Sequence, residues 1–340
     1  MNQTIVYVSC AESREIDVFS LDTRSGEARQ RQRLATTGAP QPIKISPDQR
    51  VLYVGVRSDN ALLALSIDAQ SGELALLGSS PAPGDPTYVA CDQAMRVAFS
   101  ASYSGNSLAV FPLDALGAPL ASSQFETNLT RAHAALMDAS NRWLLVPMLG
   151  LDAIGVYRLG DDGLLTPNEP ATVQVRAGSG PRHLVVSPDN RHVHCLNELD
   201  GSIDVFDFNS AAGTLTPKQS VNMLPPDFVG KAWAAELRAT PDGRFLYATE
   251  RTASVIAAFA VDLRTGRLTL VDHYPTEKQP RGMGIDPSGQ WLVAAGQLSN
   301  SLTVYALDPA SGRLSSRQSY ATGLDPICVE ILSLPGDLPG

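Results

Sequence analysis

The sequence predicts an all-β fold, a seven-bladed β-propeller with four antiparallel strands per blade, its first blade closed by the C-terminal strand. Three observations carry this reading. A turn-and-strand phrase recurs every 46 to 53 residues along the chain. Each copy is followed by a third apolar run, a glycine-containing turn and a fourth, more polar run. The first copy lacks a leading strand, and an extra strand follows the last one. Four antiparallel strands at that spacing are the signature of a propeller blade. No segment shows sustained helical periodicity with caps, so almost no helix is expected.

The phrase reads Ser46-Pro-Asp-Gln-Arg-Val-Leu-Tyr-Val54, Ser187-Pro-Asp-Asn-Arg-His-Val-His-Cys195 and Thr240-Pro-Asp-Gly-Arg-Phe-Leu-Tyr-Ala248, with further copies starting at Cys91, Asp138 and Asp286. Proline fixes φ and Asp or Asn bonds its own backbone, so the opening residues form a tight turn. The strand residue after the turn falls at Tyr53, Phe99, Leu145, His194, Tyr247 and Val293, and the same spacing counted backwards lands on Tyr7. Third strands follow at residues 16–21, 61–67, 107–113, 153–159, 202–208, 254–261 and 301–307. The final run, Gly323-Leu-Asp-Pro-Ile-Cys-Val-Glu-Ile-Leu332, matches the inner strand of the other repeats. Pairing it with Thr4–Ser9 would remove the free edges of an open ring. Residues 335–340 are expected to be loose. No linker or composition shift interrupts the pattern, so residues 1–340 read as a single domain.

Composition narrows the function classes. A net charge of −9 argues against nucleic acid or an anionic membrane as the main partner, while leaving room for a local basic pocket. Cys10, Cys91, Cys195 and Cys328 lack metal-ligand spacing and read as small core residues. No secretory signal is visible, and no apolar run approaches the ~18 residues of a membrane span. Free thiols without a signal point to the cytoplasm. A monomer or weak homo-oligomer is expected, without cofactor or metal.

A propeller brings the lead-in to each first strand and the exit of each second strand to one channel mouth. Gly180 to Leu199 shows this best: two strands joined by the 187–190 turn return Arg182 and His183 to the rim where Asn197 and Glu198 leave. The other repeats add Arg57, His133, Glu236, Arg251, Arg281 and Gln297. Arginine grips carboxylate or phosphate with paired donors. Histidine and a partly desolvated glutamate suit proton transfer near neutral pH. Arg50, Arg96, Arg142, Arg191 and Arg244 recur at the opposite turn and read as structural. His192 falls on that far side, His194 in the core, and His273 on an exposed outer strand.

Gly180-Pro-Arg-His183, Asn197-Glu198-Leu199, Trp233-Ala-Ala-Glu236, Glu250-Arg-Thr-Ala-Ser254 and Thr276-Glu-Lys-Gln-Pro-Arg-Gly282 resemble the bacterial 6-phosphogluconolactonases of the seven-bladed propeller lactonase family. The resemblance runs from Tyr7 to Val329. It implies hydrolysis of 6-phospho-D-glucono-1,5-lactone to 6-phosphogluconate in the oxidative pentose phosphate pathway. The family also holds carboxymuconate lactonising enzymes, whose catalytic His, Arg, Glu and second Arg would correspond to His133, Arg182, Glu198 and Arg251. On this reading Glu198 or His183 takes the proton of the attacking water. Arg182 and Arg251 hold the oxyanion, and His133 protonates the leaving ring oxygen. Arg281, with Arg57, Asn197, Glu236 and Gln297, is expected to bind the phosphosugar lactone. Three rivals stay open: a muconate-type cycloisomerase, separable by a phosphate-free diacid substrate; a metal-dependent lactonase, separable by a chelator; and a non-catalytic propeller scaffold, which would predict apolar patches on the outer face, whereas the informative residues here line the channel.

Overall fold

The computed structural model describes residues 3–334, which form seven four-stranded antiparallel sheets. Blade 1 is assembled from both ends of the chain. Its inner strand, Pro326–Leu334, pairs antiparallel with Gln3–Cys10, in the order inner strand, Gln3–Cys10, Glu15–Leu21, Ala28–Ala35. Closure therefore occurs as the sequence predicts. Among the described residues, the one helical segment is a 3-10 turn at Leu149–Leu151. The tail 335–340 lies outside the described residues.

Each blade follows the repeat. In blade 5 the inner strand Pro181–Val186 meets His192–Asn197 across the predicted turn, which closes through a 2.8 Å bond from Asn190 N–H to Ser187 C=O. Asn190 sits at φ 58°, a left-handed conformation that asparagine tolerates. Second strands are buried along their whole length because sheets cover both faces. Fourth strands are largely exposed and correspondingly polar.

In the four blades where that repeat position carries Tyr or His, it ties neighbouring blades together. Tyr7, Tyr53 and Tyr247 hydroxyls and the His194 ring donate to the carbonyls of Gly72, Gly117, Gly312 and Gly266, each at 2.8 Å. The indoles of Trp143 and Trp291 do similar work, donating at 2.9 Å to the Ser210 and Thr23 carbonyls. Trp143 lies flat under Gly213, where an added Cβ would stand 2.6 Å from the indole. Glycine is required there twice over, for its positive φ and for the close approach. Between these ties the apolar faces of adjacent blades pack together, as in the cluster joining Phe206 and Leu184 to Trp143 and Ile154.

The far-face arginines are structural. Arg50, Arg191 and Arg244 pair with the aspartate two residues earlier in their own turns, and Arg142 reaches the next blade at the Ser210 carbonyl. His192 is buried on that face. His273, expected to be exposed, is half-buried, because its Nε2 lies 2.9 Å from the Met223 carbonyl.

Two measurements test the ring. Truncation after Gly323 strips the inner strand from blade 1 and leaves unpaired edges, so cooperative unfolding is expected to vanish; a truncated protein melting like the full chain would refute the closure. Tyr53→Phe keeps shape but leaves the buried Gly117 carbonyl unpaired, with an expected loss of about 1 to 3 kcal/mol in chemical denaturation.

Candidate active site

The inner strands are not regular where they meet the mouth. Register shifts fall between Pro181 and His183, Ala234 and Leu237, Pro280 and Gly282, and Pro40 and Ile43. A bulge re-aims the side chains it carries. Without one, Arg182 and His183 would point to opposite faces of their strand; with it, both line the channel. Glu236 and Arg281 occupy the matching shifts of blades 6 and 7.

Glu198 lies at the centre. Its Oε2 accepts from Arg182 Nε at 2.8 Å and from Arg251 Nη2 at 3.0 Å. Its Oε1 has no hydrogen-bond partner among the described residues. All three side chains are nearly buried. Arg182 also donates from Nη1 to the Ala235 carbonyl and to His183, leaving Nη2 free of protein partners among the described residues. Arg251 is clamped from behind. Its Nε donates to the Trp233 carbonyl at 3.0 Å, its Nη2 also reaches the Ala234 carbonyl, and the Trp233 indole stacks 3.8 Å from the guanidinium carbon. Only Nη1 is uncommitted. Burial and the positive charges of Arg182 and Arg281 hold the Arg251 guanidinium below its ordinary value, with Glu198 opposing the shift.

His183 has a determined tautomer. Glu236, as a carboxylate, can only accept, so the 2.8 Å contact places the proton on His183 Nδ1. Arg182 can only donate, so the 3.1 Å contact at Nε2 engages the lone pair. Burial, aided by Arg182 and opposed by Glu236, lowers the His183 pKa to about 4, so the ring is neutral at physiological pH. Its one basic nitrogen already faces a guanidinium, which weakens it as a base for water. Glu236 is held down to about 2: burial alone would raise it, but Arg238 and His183 outweigh that.

His133 lies beside His183, ring centroids 5.3 Å apart, and Tyr103 closes its other side. It sits on the loop that leads into blade 4's inner strand, and that strand is only Leu136–Met137. The segment before it still pairs with the second strand: Ala132 bridges Met148, and His133 N–H donates to the Pro147 carbonyl at 3.0 Å. Burial and the charge of Arg182 hold His133 well below the usual histidine range.

The remaining expected contacts divide. Arg281 faces the channel with no hydrogen bond or ion pair among the described residues; burial, Arg182 and Arg57 lower it to about 10. Arg57 is committed to Asp85 and Gln41. Gln297 bridges Gln279 and Asp325 at the rim. Asn197 turns its amide into its own blade, to Ser202 and Asp204, each at 2.8 Å. Glu236 lies beneath His183 rather than at the mouth.

The sequence reading missed what lies below. Arg238 donates to Glu330 at 2.9 Å and lies 3.5 Å from Glu236, and Lys44 joins Glu330 from the other side at 3.2 Å. The channel here narrows to a cavity of about 30 Å³. The signal was present: Arg238 follows Glu236 by two, the strand period, and Glu330 follows Cys328 by two.

Three buried histidines, His133, His183 and His194, are held neutral in the folded protein. The unfolded chain takes protons on them near 6.5, while folded His183 and His194 resist until about 4. In that window the unfolded state binds more protons, so stability falls as pH falls. Glu236 adds a further loss below its ordinary value of 4.5, fading at about 2. Urea midpoints are expected to drop steadily from pH 7 to pH 4.5, less steeply in His183→Asn. A flat profile would overturn the assignment of neutral imidazoles.

The model of the lactonase family with a seven-bladed β-propeller matches residues 5–331. A 6-phosphogluconolactonase of Serratia proteamaculans is 41% identical over 170 residues, and one of Cronobacter sakazakii 43% over the same length. The matched segment covers 50% of this chain, and the chain spans about half the length of these relatives, 51%. A periplasmic gluconolactonase of Pseudomonas aeruginosa superposes with a TM-score of 0.92 at 29% identity, covering 98% of this chain and 100% of that one. A Lactobacillus plantarum protein gives 0.87 at 30% identity, with 98% and 100% covered. With the matched family spanning nearly every strand of the ring, the chain belongs to the seven-bladed β-propeller lactonases.

Proposed function

We propose that the protein hydrolyses 6-phospho-D-glucono-1,5-lactone to 6-phosphogluconate, with Glu198 as general base. The observation that carries this reading is the division of Glu198: one oxygen is fixed by two guanidiniums, the other is free beside three arginines with uncommitted nitrogens. Oε1 takes a proton from water as the water oxygen bonds to the lactone carbonyl carbon. Arg182 Nη2 and Arg251 Nη1 donate to the oxyanion, each such donor lowering the barrier by roughly 3 kcal/mol. The carbon–ring-oxygen bond then breaks, its electron pair going to the ring oxygen, which takes the proton back from Glu198. The new carboxylic acid ionises to solvent. His133 was expected to be the acid, but a neutral buried imidazole holds no proton to spare, so its part is to hydrogen-bond the ring oxygen.

Arg281, unpaired and partly desolvated, is the phosphate grip in this scheme. Support for the substrate class comes from relatives named 6-phosphogluconolactonase and gluconolactonase. Four free cysteines fit a reducing, cytoplasmic setting. No helix is long and apolar enough to cross a membrane among the described residues.

Glu198→Gln is expected to lower kcat by ~10² or more with KM little changed. Arg281→Ala is expected to raise KM for the phosphorylated lactone and leave unphosphorylated gluconolactone nearly unaffected. Full kcat in the first variant would remove Glu198 as base. Equal weakening of both lactones in the second would remove Arg281 as the phosphate grip.

A further inference from the structure

Beneath the site, charges alternate without a break: Arg182, then neutral His183, Glu236, Arg238, Glu330 and Lys44. The chain starts on blade 5, runs down blade 6, crosses to the closing strand of blade 1 and ends on blade 2. Its members are distant in sequence, Lys44 and Glu330 lying 286 residues apart. We propose that Arg238 and Glu330, backed by Lys44, are positioning residues for the reaction: they hold the Glu236 carboxylate, and through it the His183 ring and the Arg182 fork that faces Glu198. This rests on the assignment of Arg182 and Glu198 given above.

A buried carboxylate without a cation tends to take a proton. A protonated Glu236 could donate as well as accept, and His183 could then carry its proton on either nitrogen. With the proton on Nε2, His183 would present a donor to the Arg182 Nη1 donor 3.1 Å away. Arg182 would have to turn, and its Nε bond to Glu198 would be strained with it. The ladder prevents this. Arg238 lies 3.5 Å from Glu236, and is itself kept in place by Glu330 at 2.9 Å and by the Met283 carbonyl at 3.0 Å. Beyond the ladder, the groups facing Glu236 are Arg182 and His183 from blade 5, Tyr88 from blade 3 and Cys328 from blade 1. None of these but Arg182 brings a permanent positive charge, and Arg182 is already paired with Glu198.

The test reads the tautomer directly. Ring-nitrogen NMR of His183 at neutral pH is compared among the wild type, Arg238→Met, Arg238→Lys and Arg238→Gln, alongside pH profiles for the phosphorylated lactone. The wild type is expected to show a protonated Nδ1 and a bare Nε2. Arg238→Met and Arg238→Gln, which both remove the cation beside Glu236, are expected to show mixed tautomers. Their kcat should fall about tenfold or more with KM changed less than about threefold, and the acid limb should move up by about one pH unit. Arg238→Lys is expected to keep the wild-type tautomer and most of kcat. Wild-type tautomer and pH profile in Arg238→Gln would overturn the proposal, whatever its melting temperature, and this polar variant decides the matter if Arg238→Met fails to fold. Should the tautomer shift while even the wild type turns over no lactone, the positioning role stands and the reaction assignment falls.

Discussion

Two guanidiniums from adjacent blades share a single carboxylate oxygen, and the mouth of the channel is organised around that contact. Arg182 and Arg251 are almost wholly buried, so their mutual repulsion is barely screened. Glu198 is the charge that makes the arrangement tolerable. A buried ion pair of this kind adds little net stability, because desolvation offsets attraction, yet removing one partner leaves an uncompensated charge. Its value lies in geometry. Arg182 is held by the Ala235 carbonyl and His183, Arg251 by two carbonyls and the Trp233 ring, and among the described residues one nitrogen is left over in each.

The same logic extends down the channel. A protein with net charge −9 encloses a mouth whose arginines outnumber its carboxylates. The excess charge sits on top, at Arg281 and the uncommitted nitrogens, while the floor is paired. Unpaired positive charge is therefore concentrated where the channel opens.

The architecture was legible in the sequence because it is periodic. Turn residues, Tyr or His at one register position and the displaced last strand all repeat or break a pattern, and a pattern needs no three-dimensional information. Arg182, Glu198 and Arg251 were legible for the same reason, since hairpin geometry returns both strand ends to one rim. Partnership was not. Nothing local distinguishes Asn197, bound within its own blade, from Glu198 beside it. The bulges that turn Arg182 and Glu236 inward are backbone irregularities without a fixed residue signature. Glu330 joins Arg238 across 92 residues, a contact set by closure of the ring rather than by any local phrase.

Blade 1 carries one more consequence. Gln3 pairs with Leu334, and both strands run so that these residues lie on the face of the ring opposite the mouth. The two ends of the described chain are therefore neighbours, on the side a ligand does not approach. The ring of described residues is in effect a circle cut at a neutral place: a short tether could join Gln3 to Leu334, a new opening could be made at another far-face turn, and anything fused beyond either residue would start on the face opposite the channel mouth.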